Sequence, residues 1–164
     1  MPDTPTDARA VGTVTHLNTS GGGVPKLPTP RVRIGELGLE GDDQNDKKHH
    51  GGPDRAVCLF SAEVIDTLRA EGHPIGPGTA GENVTIRGFD WPKVTPGSRI
   101  EFDGGVVLEI TKYTPPCSTI RESFTESKFR RIHQDDHPGE SRVYARVLTG
   151  GEAAAGERVT LIPA

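Results

Sequence analysis

Cys117 is the residue of this chain best placed to do chemistry. It follows the rigid run Thr114-Pro115-Pro116 and immediately precedes residues that suit a short helix. Unpaired backbone N–H groups and the helix dipole at such a position favour a thiolate. That thiolate could act as a nucleophile, carry a persulfide or ligate a soft metal. The other cysteine, Cys58, lies inside the apolar run Val57-Cys58-Leu59-Phe60 and reads as a small buried hydrophobe.

A second concentration of polar chemistry runs from Gly38 to Val57, GLEGDDQNDKKHHGGPDRAV. Almost nothing in it can build core, so the fold must hold it up as a loop. Gly38, Gly41, Gly51 and Gly52 suit positive φ or close backbone approach, which makes the loop shaped. His49 and His50 are adjacent and point opposite ways, so one can face a pocket while the other is solvated. Asp54 and Arg55 sit where the loop re-enters a strand, a place where functional side chains are held rigidly. Asn83, in Gly-Glu-Asn, offers donors and acceptors beside another glycine loop. Arg55, Lys112, Arg142 and Arg146 are scattered in the chain but border these loops, and arginine grips phosphate and polar rings through its donor fork. Taken alone, each of these is equally well a solvated surface residue.

Other motifs carry less. His133 and His137 have the spacing of a zinc-binding helix, yet Asp135, Asp136, Pro138 and Gly139 favour an acidic turn. There is no Ser-His-Asp order and no phosphate-binding Walker loop. The triple glycine Gly21–Gly23 has no helix after it and is not a dinucleotide fingerprint.

The elements that must position these residues are mostly short strands. Val11–Leu17, Arg31–Leu37 and Arg55–Phe60 alternate or run apolar, and the last is expected to be buried on both faces. Ser61 is a candidate N-cap for the one clear helix, AEVIDTLRAEG, whose apolar stripe is Val64, Ile65 and Leu68 and which Gly72 ends. GENVTIRG is a further strand, with Val84 and Ile86 alternating. Ser98–Phe102 and Val106–Thr111 form a hairpin through Asp-Gly-Gly. Thr119 and Glu122 have the spacing of a capping box on a short helix to Phe124. Arg142–Thr149 and Glu157–Ile162 are closing strands, with GGEAAAGE as the turn between them. The pattern predicts a mainly β chain, a closed or nearly closed barrel with a few short helices. Residues 1–9 are expected to be a disordered tail and 10–164 a single domain.

The totals exclude several classes. The 164 residues suffice for one genuine core, and 21 glycines and 14 prolines explain a hydrophobic content of only 32%. A net charge of −4 provides no broad basic field for nucleic acid. Two separated cysteines form no disulfide framework, which points to a reducing, cytoplasmic setting. The polar N-terminus is no secretory signal, and no apolar run approaches membrane-spanning length.

GLEGD at 38–42, HHGGPDRAV at 49–57, GENVTIRG at 81–88, PPC at 115–117 and the late YARVLTGGEAAAGERV together resemble the MOSC domain family. That family is named for the C-terminal domain of molybdenum-cofactor sulfurases, and the match is nearest its stand-alone bacterial, YiiM-like members. The resemblance implies a β-barrel whose pocket binds a molybdenum–pterin cofactor, with Cys117 as the protein ligand to molybdenum. It further implies that His50, Gly51, Asp54, Arg55, Asn83 and Thr114 bind or border the cofactor, with Asp54 or His50 assisting proton delivery. Members of this type reduce small N-hydroxylated compounds. Two cysteines cannot hold an iron–sulfur cluster, so electrons are expected from a separate partner protein. No pyridoxal-phosphate domain is expected in a chain of this size. The alternative is a carrier of persulfide or cofactor on Cys117, without turnover of its own.

Overall fold

The computed structural model describes residues 9–42 and 52–164. Strand β1 (Ala10–Thr19) ties the architecture together because it is long enough to serve three partners. Its start pairs antiparallel with β11 (Arg158–Ile162), Ala10 opposite Leu161. Its middle pairs antiparallel with β6 (Val84–Arg87), and its end with the short β2 (Leu27–Thr29). A bulge between Val14 and His16 shifts the register and adds twist, so one strand can pass from partner to partner.

From β6 the wall runs through β5 (Val57–Ser61), β9 (Val143–Thr149), β8 (Val107–Tyr113) and β7 (Arg99–Phe102) to β11. Because β11 also pairs with β1, these seven strands close a barrel. The mainly β barrel read from the strand pattern is therefore the fold. A small separate sheet joins β10 (Gly151–Ala154), β3 (Arg31–Gly35) and β4 (Gly38–Leu39).

Register decides what faces inward. Leu59 is opposite Val84 on one side and Val143 on the other, and Ile110 is opposite Ala145. All of these are buried and fill the barrel. The period of two then turns Cys58, Phe60 and Thr85 outward, yet they too are buried. A helix explains part of that cover. Strands β5 and β6 are parallel, so a crossover must join them, and α1 (Ala62–Ala70) lies in it with Val64, Ile65 and Leu68 buried. Ser61 caps α1 by accepting a 3.1 Å hydrogen bond from the Val64 N–H, as its position in the sequence indicates. No helix among the described residues is long and apolar enough to cross a membrane.

Four local readings are corrected. Asp54 and Arg55 do not begin the strand; Pro53–Arg55 form a 3-10 turn, and β5 starts at Val57. The stretch GGEAAAGE is not only a turn, because β10 pairs there with β3, a partner about 120 residues upstream. The expected strand Arg31–Leu37 stops at Gly35, where the chain turns into β4. Thr119 and Glu122 form no capping box: the helix is 3-10, Ser118–Ser123, and its N-cap is Cys117 without a side-chain cap bond. The tail reading falls largely on residues 1–8, outside the described residues.

Replacing Ser61 by alanine should lower unfolding free energy by about 1 kcal/mol, the usual cost of a lost N-cap oxygen. Urea denaturation of the two proteins would measure it, and an unchanged midpoint would mean that α1 does not depend on this cap.

Candidate functional site

The outer face of β5, β9 and β8 carries a row of side chains set by register: Cys58 opposite Tyr144, and Tyr144 opposite Lys112. The Lys112 ammonium lies 5.9 Å from the centre of the Tyr144 ring. Burial pushes the Tyr144 phenol well above its ordinary range, and the Cys58 and Cys117 sulfurs push the same way. Arg142 and Arg55 pull it back only in part. The phenol therefore stays protonated beside two cysteine sulfurs and two guanidinium groups.

The two cysteines differ sharply. Cys58 is enclosed, its sulfur 3.9 Å from the Thr114 hydroxyl, and burial raises its pKa. It stays a thiol, as its apolar strand implies. Cys117 is only half-buried. It stands after Pro115 and Pro116, where β8 has ended and the chain enters a series of 3-10 turns. Those turns pack against the end of α1 and the loop after it. Ser123 donates to the Thr79 carbonyl, and the Thr125 hydroxyl donates to Gly72. Arg131 bridges Glu71 at 2.9 Å and Glu140 at 2.7 Å, holding the Glu71 carboxyl below its usual range. The segment bearing Cys117 is thus braced at several points.

Arg142 joins this segment to the barrel. Its Nη1 donates to the Ala80 carbonyl at 2.7 Å and its Nη2 to the Pro115 carbonyl at 3.3 Å. Its Nε is buried with no hydrogen-bond partner. Thr114 donates its N–H to the Arg142 carbonyl. Structure therefore gathers Cys117, Thr114, Arg55, Arg142 and Lys112 around Tyr144, residues spread over nearly a hundred positions.

Asn83 is placed differently. Its Oδ1 accepts from the Cys58 N–H at 2.9 Å, while its Nδ2 donates to Asp42 at 2.9 Å and to the Asn18 carbonyl at 3.3 Å. Both ends of the amide are engaged within the protein. Asp42 is in turn gripped by Lys26, whose Nζ lies 2.7 and 2.8 Å from the two carboxylate oxygens, and by the Ser20 N–H at 3.0 Å. Lys26 and Asp42 are nearly buried, with side chains 7% and 5% exposed. This ion pair ties the Gly/Pro segment after β1 to the start of the long polar loop and, through Asn83, to β5.

Asp54 lies at the rim. Its carboxylate is 71% exposed and sits 3.4 Å from Arg146, which also faces Glu109 at 3.6 Å. Its carbonyl accepts from the Thr111 hydroxyl. His50 and Gly51 lie outside the described residues. His133 and His137 occupy an acidic turn, where the His137 N–H donates to the His133 carbonyl. Beside it an open cleft is lined by Lys128, Phe129, Arg130 and Arg131. Its cations are paired, Lys128 with Glu126, Arg130 with Asp136, and Arg131 with Glu71 and Glu140. Among the described residues no group of three or more His, Cys, Asp or Glu could hold a metal ion.

Sequence reasoning misses Tyr144, Lys26 and Asp42 as parts of this site. Tyr144 has an ordinary strand sequence around it and becomes significant only once β9 is known to pair with β5. Lys26 and Asp42 each look solvated until two loops bring them together.

Substituting Lys26 by methionine leaves Asp42 buried without its cation, which should cost about 3–5 kcal/mol. The double variant Lys26→Met, Asp42→Asn should recover part of that loss. A double-mutant cycle by chemical denaturation measures the coupling, and strictly additive effects would show that the pair does not act as a unit.

The sequence profile of the MOSC domain matches residues 46–160. YflK of Bacillus subtilis is 29% identical over 143 residues, covering 85% of this chain and 63% of YflK. YiiM of Escherichia coli is 31% identical over 110 residues, covering 63% of this chain and 48% of YiiM. The chain thus spans between about half and two thirds of the length of these relatives. The crystal structure of the YuaD protein of Bacillus subtilis superimposes with a TM-score of 0.73 at 18% identity, covering 95% of this chain and 98% of that one. At that identity the likeness concerns the fold, and it agrees with the profile match over most of the chain. This chain belongs to the MOSC domain family.

Proposed function

We propose that this protein binds a molybdenum–pterin cofactor and reduces small N-hydroxylated compounds with electrons from a separate donor protein. The observation that carries the reading is Cys117, a half-buried thiol braced at the edge of a cationic face beside Tyr144.

The residues present fit such a group. Cys117 would supply a soft thiolate ligand for molybdenum. Arg55, Lys112 and Arg142 would supply positive charge for the phosphate and polar ring of the pterin. The buried, unpartnered Nε of Arg142 is a donor still able to serve a ligand. Thr114 would border the group from the strand end that leads to Cys117. Asn83 would act by holding β5 and Asp42 in place, since its own amide is already engaged. When bound, the cofactor supplies the electron-transfer chemistry.

The net reaction breaks the N–O bond, consumes two electrons and two protons, and releases the amine-level product and water. The protein's part is to orient the substrate and deliver protons. Asp54, exposed at the rim and paired with Arg146, is in contact with solvent and suited to pass protons inward. His50 belongs with it in this proposal on the strength of the family resemblance. The reductase activity itself also rests on that resemblance.

Expression in a host that makes the cofactor, followed by elemental and fluorescence analysis, tests the reading. Near-stoichiometric molybdenum and pterin should accompany the wild-type chain and fall at least tenfold in Cys117→Ala. Metal-free protein carrying a sulfur adduct on Cys117 by mass spectrometry would replace this reading with the persulfide carrier.

A further inference from the structure

We propose that Glu82 is a neutral carboxylic acid at neutral pH, with its proton on Oε1 directed to Asn18, and that it is a positioning residue for the loop framing the site. The inference goes beyond the cofactor reading and does not depend on which ligand the site takes.

Glu82 is completely buried. Its Oε2 accepts from the Gly78 N–H at 3.0 Å and from the Thr85 hydroxyl at 2.9 Å. Its Oε1 has no hydrogen-bond partner, although it is buried. Asn18 is likewise completely buried. Its amide donates to the Glu82 carbonyl and to the Thr85 hydroxyl, both at 3.2 Å, which fixes its Oδ1 as the acceptor end. That Oδ1 is also without a partner. Two stranded acceptors therefore belong to one hydrogen-bonded cluster, and leaving both bare is costly. A proton on Glu82 Oε1 turns one of them into the donor that the other lacks.

The surrounding charges leave room for that proton. Among the described residues no Lys, Arg or His nitrogen forms an ion pair with Glu82. Lys26, from the segment after β1, is committed to Asp42. Arg142, preceding β9, faces the cluster, but its terminal nitrogens bond the carbonyls of Ala80 and Pro115, and its buried Nε makes neither a hydrogen bond nor an ion pair with Glu82. Cys58, on β5, is a thiol, and Asp42 is held through Asn83 and Lys26. Burial drives the Glu82 acid strength down, while Gly78, Thr85 and Arg142 oppose it in part.

Position in the chain gives the proton its consequence. Residues 76–83 present the Ala80 carbonyl to Arg142 and the Asn83 amide to β5. Glu82 pins this loop at Gly78, whose close approach to the Lys26 carbonyl leaves no space for a side chain. Ionising Glu82 would place two acceptors and a buried charge where the loop is most crowded. Glu82 thus acts on the site through Arg142 and Asn83.

Infrared difference spectroscopy with labelled glutamate tests the proton directly, on the wild-type chain without any cofactor. A protonated-carboxyl band should be present at pH 7, absent from Glu82→Gln, and shifted to higher frequency in Asn18→Ala. Glutamine keeps both roles, accepting from Gly78 and donating to Asn18, so it should fold and rescue what Glu82→Ala loses. Stability against pH supplies the second readout. Above the ordinary glutamate range the unfolded chain releases this proton and the folded chain keeps it, so the wild type loses stability as pH rises. Its unfolding constant relative to Glu82→Gln should grow about tenfold per pH unit until the folded-state pKa is reached. The absence of the band at pH 7, or a stability gap between the two that does not change with pH, would overturn the proposal. Neither readout involves molybdenum, so the cofactor reading can fail while this one stands.

Discussion

Polar side chains buried on the outside of a barrel wall are the constraint on which the rest of this structure depends. A barrel fills its interior with apolar residues, and its outer face normally meets water. Here the outer face of β5, β6 and β9 carries Cys58, Thr85 and Tyr144, and all three are covered. Beyond α1 the cover is made of loops, which bring backbone groups and charged side chains with them. Each of those groups needs a partner, because desolvation without one costs more than a typical hydrogen bond returns. The Lys26–Asp42 pair, the two-ended amide of Asn83 and the fork of Arg142 are the solution, and together they hold four separate segments against one sheet.

The contrast between the two thiols follows from the same cover. Cys58 lies beneath it and is raised in pKa, locked as a small filler. Cys117 lies at its edge and is only half-buried. Tyr144 lies on the same face, with its ring against Lys112 and its hydroxyl held in the protonated form. The cationic groups are similarly graded. Arg142 is buried and bonded to backbone, whereas Arg146 is exposed and shared between carboxylates.

The barrel wall was legible from the sequence because burial on one face imposes a period of two. Val84 and Ile86, or Leu108 and Ile110, announce themselves that way. Ser61 and Gly72 were legible because caps are local chemistry. Pairing is not local, which is why β10 reads in the sequence as a turn: Gly-Glu-Ala-Ala has weak strand character and becomes a strand only because β3 lies beside it. The site was legible in part. Thr114 and Cys117 are marked by the prolines between them, but Tyr144, Lys26 and Glu82 gain their meaning from partners far away in the chain. Asp54 and Arg55 read as strand entry because Ala56 and Val57 follow directly; Pro53 at the head of the turn is the feature that bends them away.

The splice between β1 and β11 bears on how such a chain acquires its shape. Ala10 and Leu161 are neighbours in the wall, although they stand near opposite limits of the sequence. The loop they enclose takes in every other strand of the barrel. Its entropic cost grows only as the logarithm of its length, so the equilibrium tolerates it well. The rate is more sensitive, since contacts of long sequence separation slow folding. On a ribosome, β1 emerges well before β11 and waits for it with one half of its edge unpaired. Until then the open edge is a template on which other chains can pair.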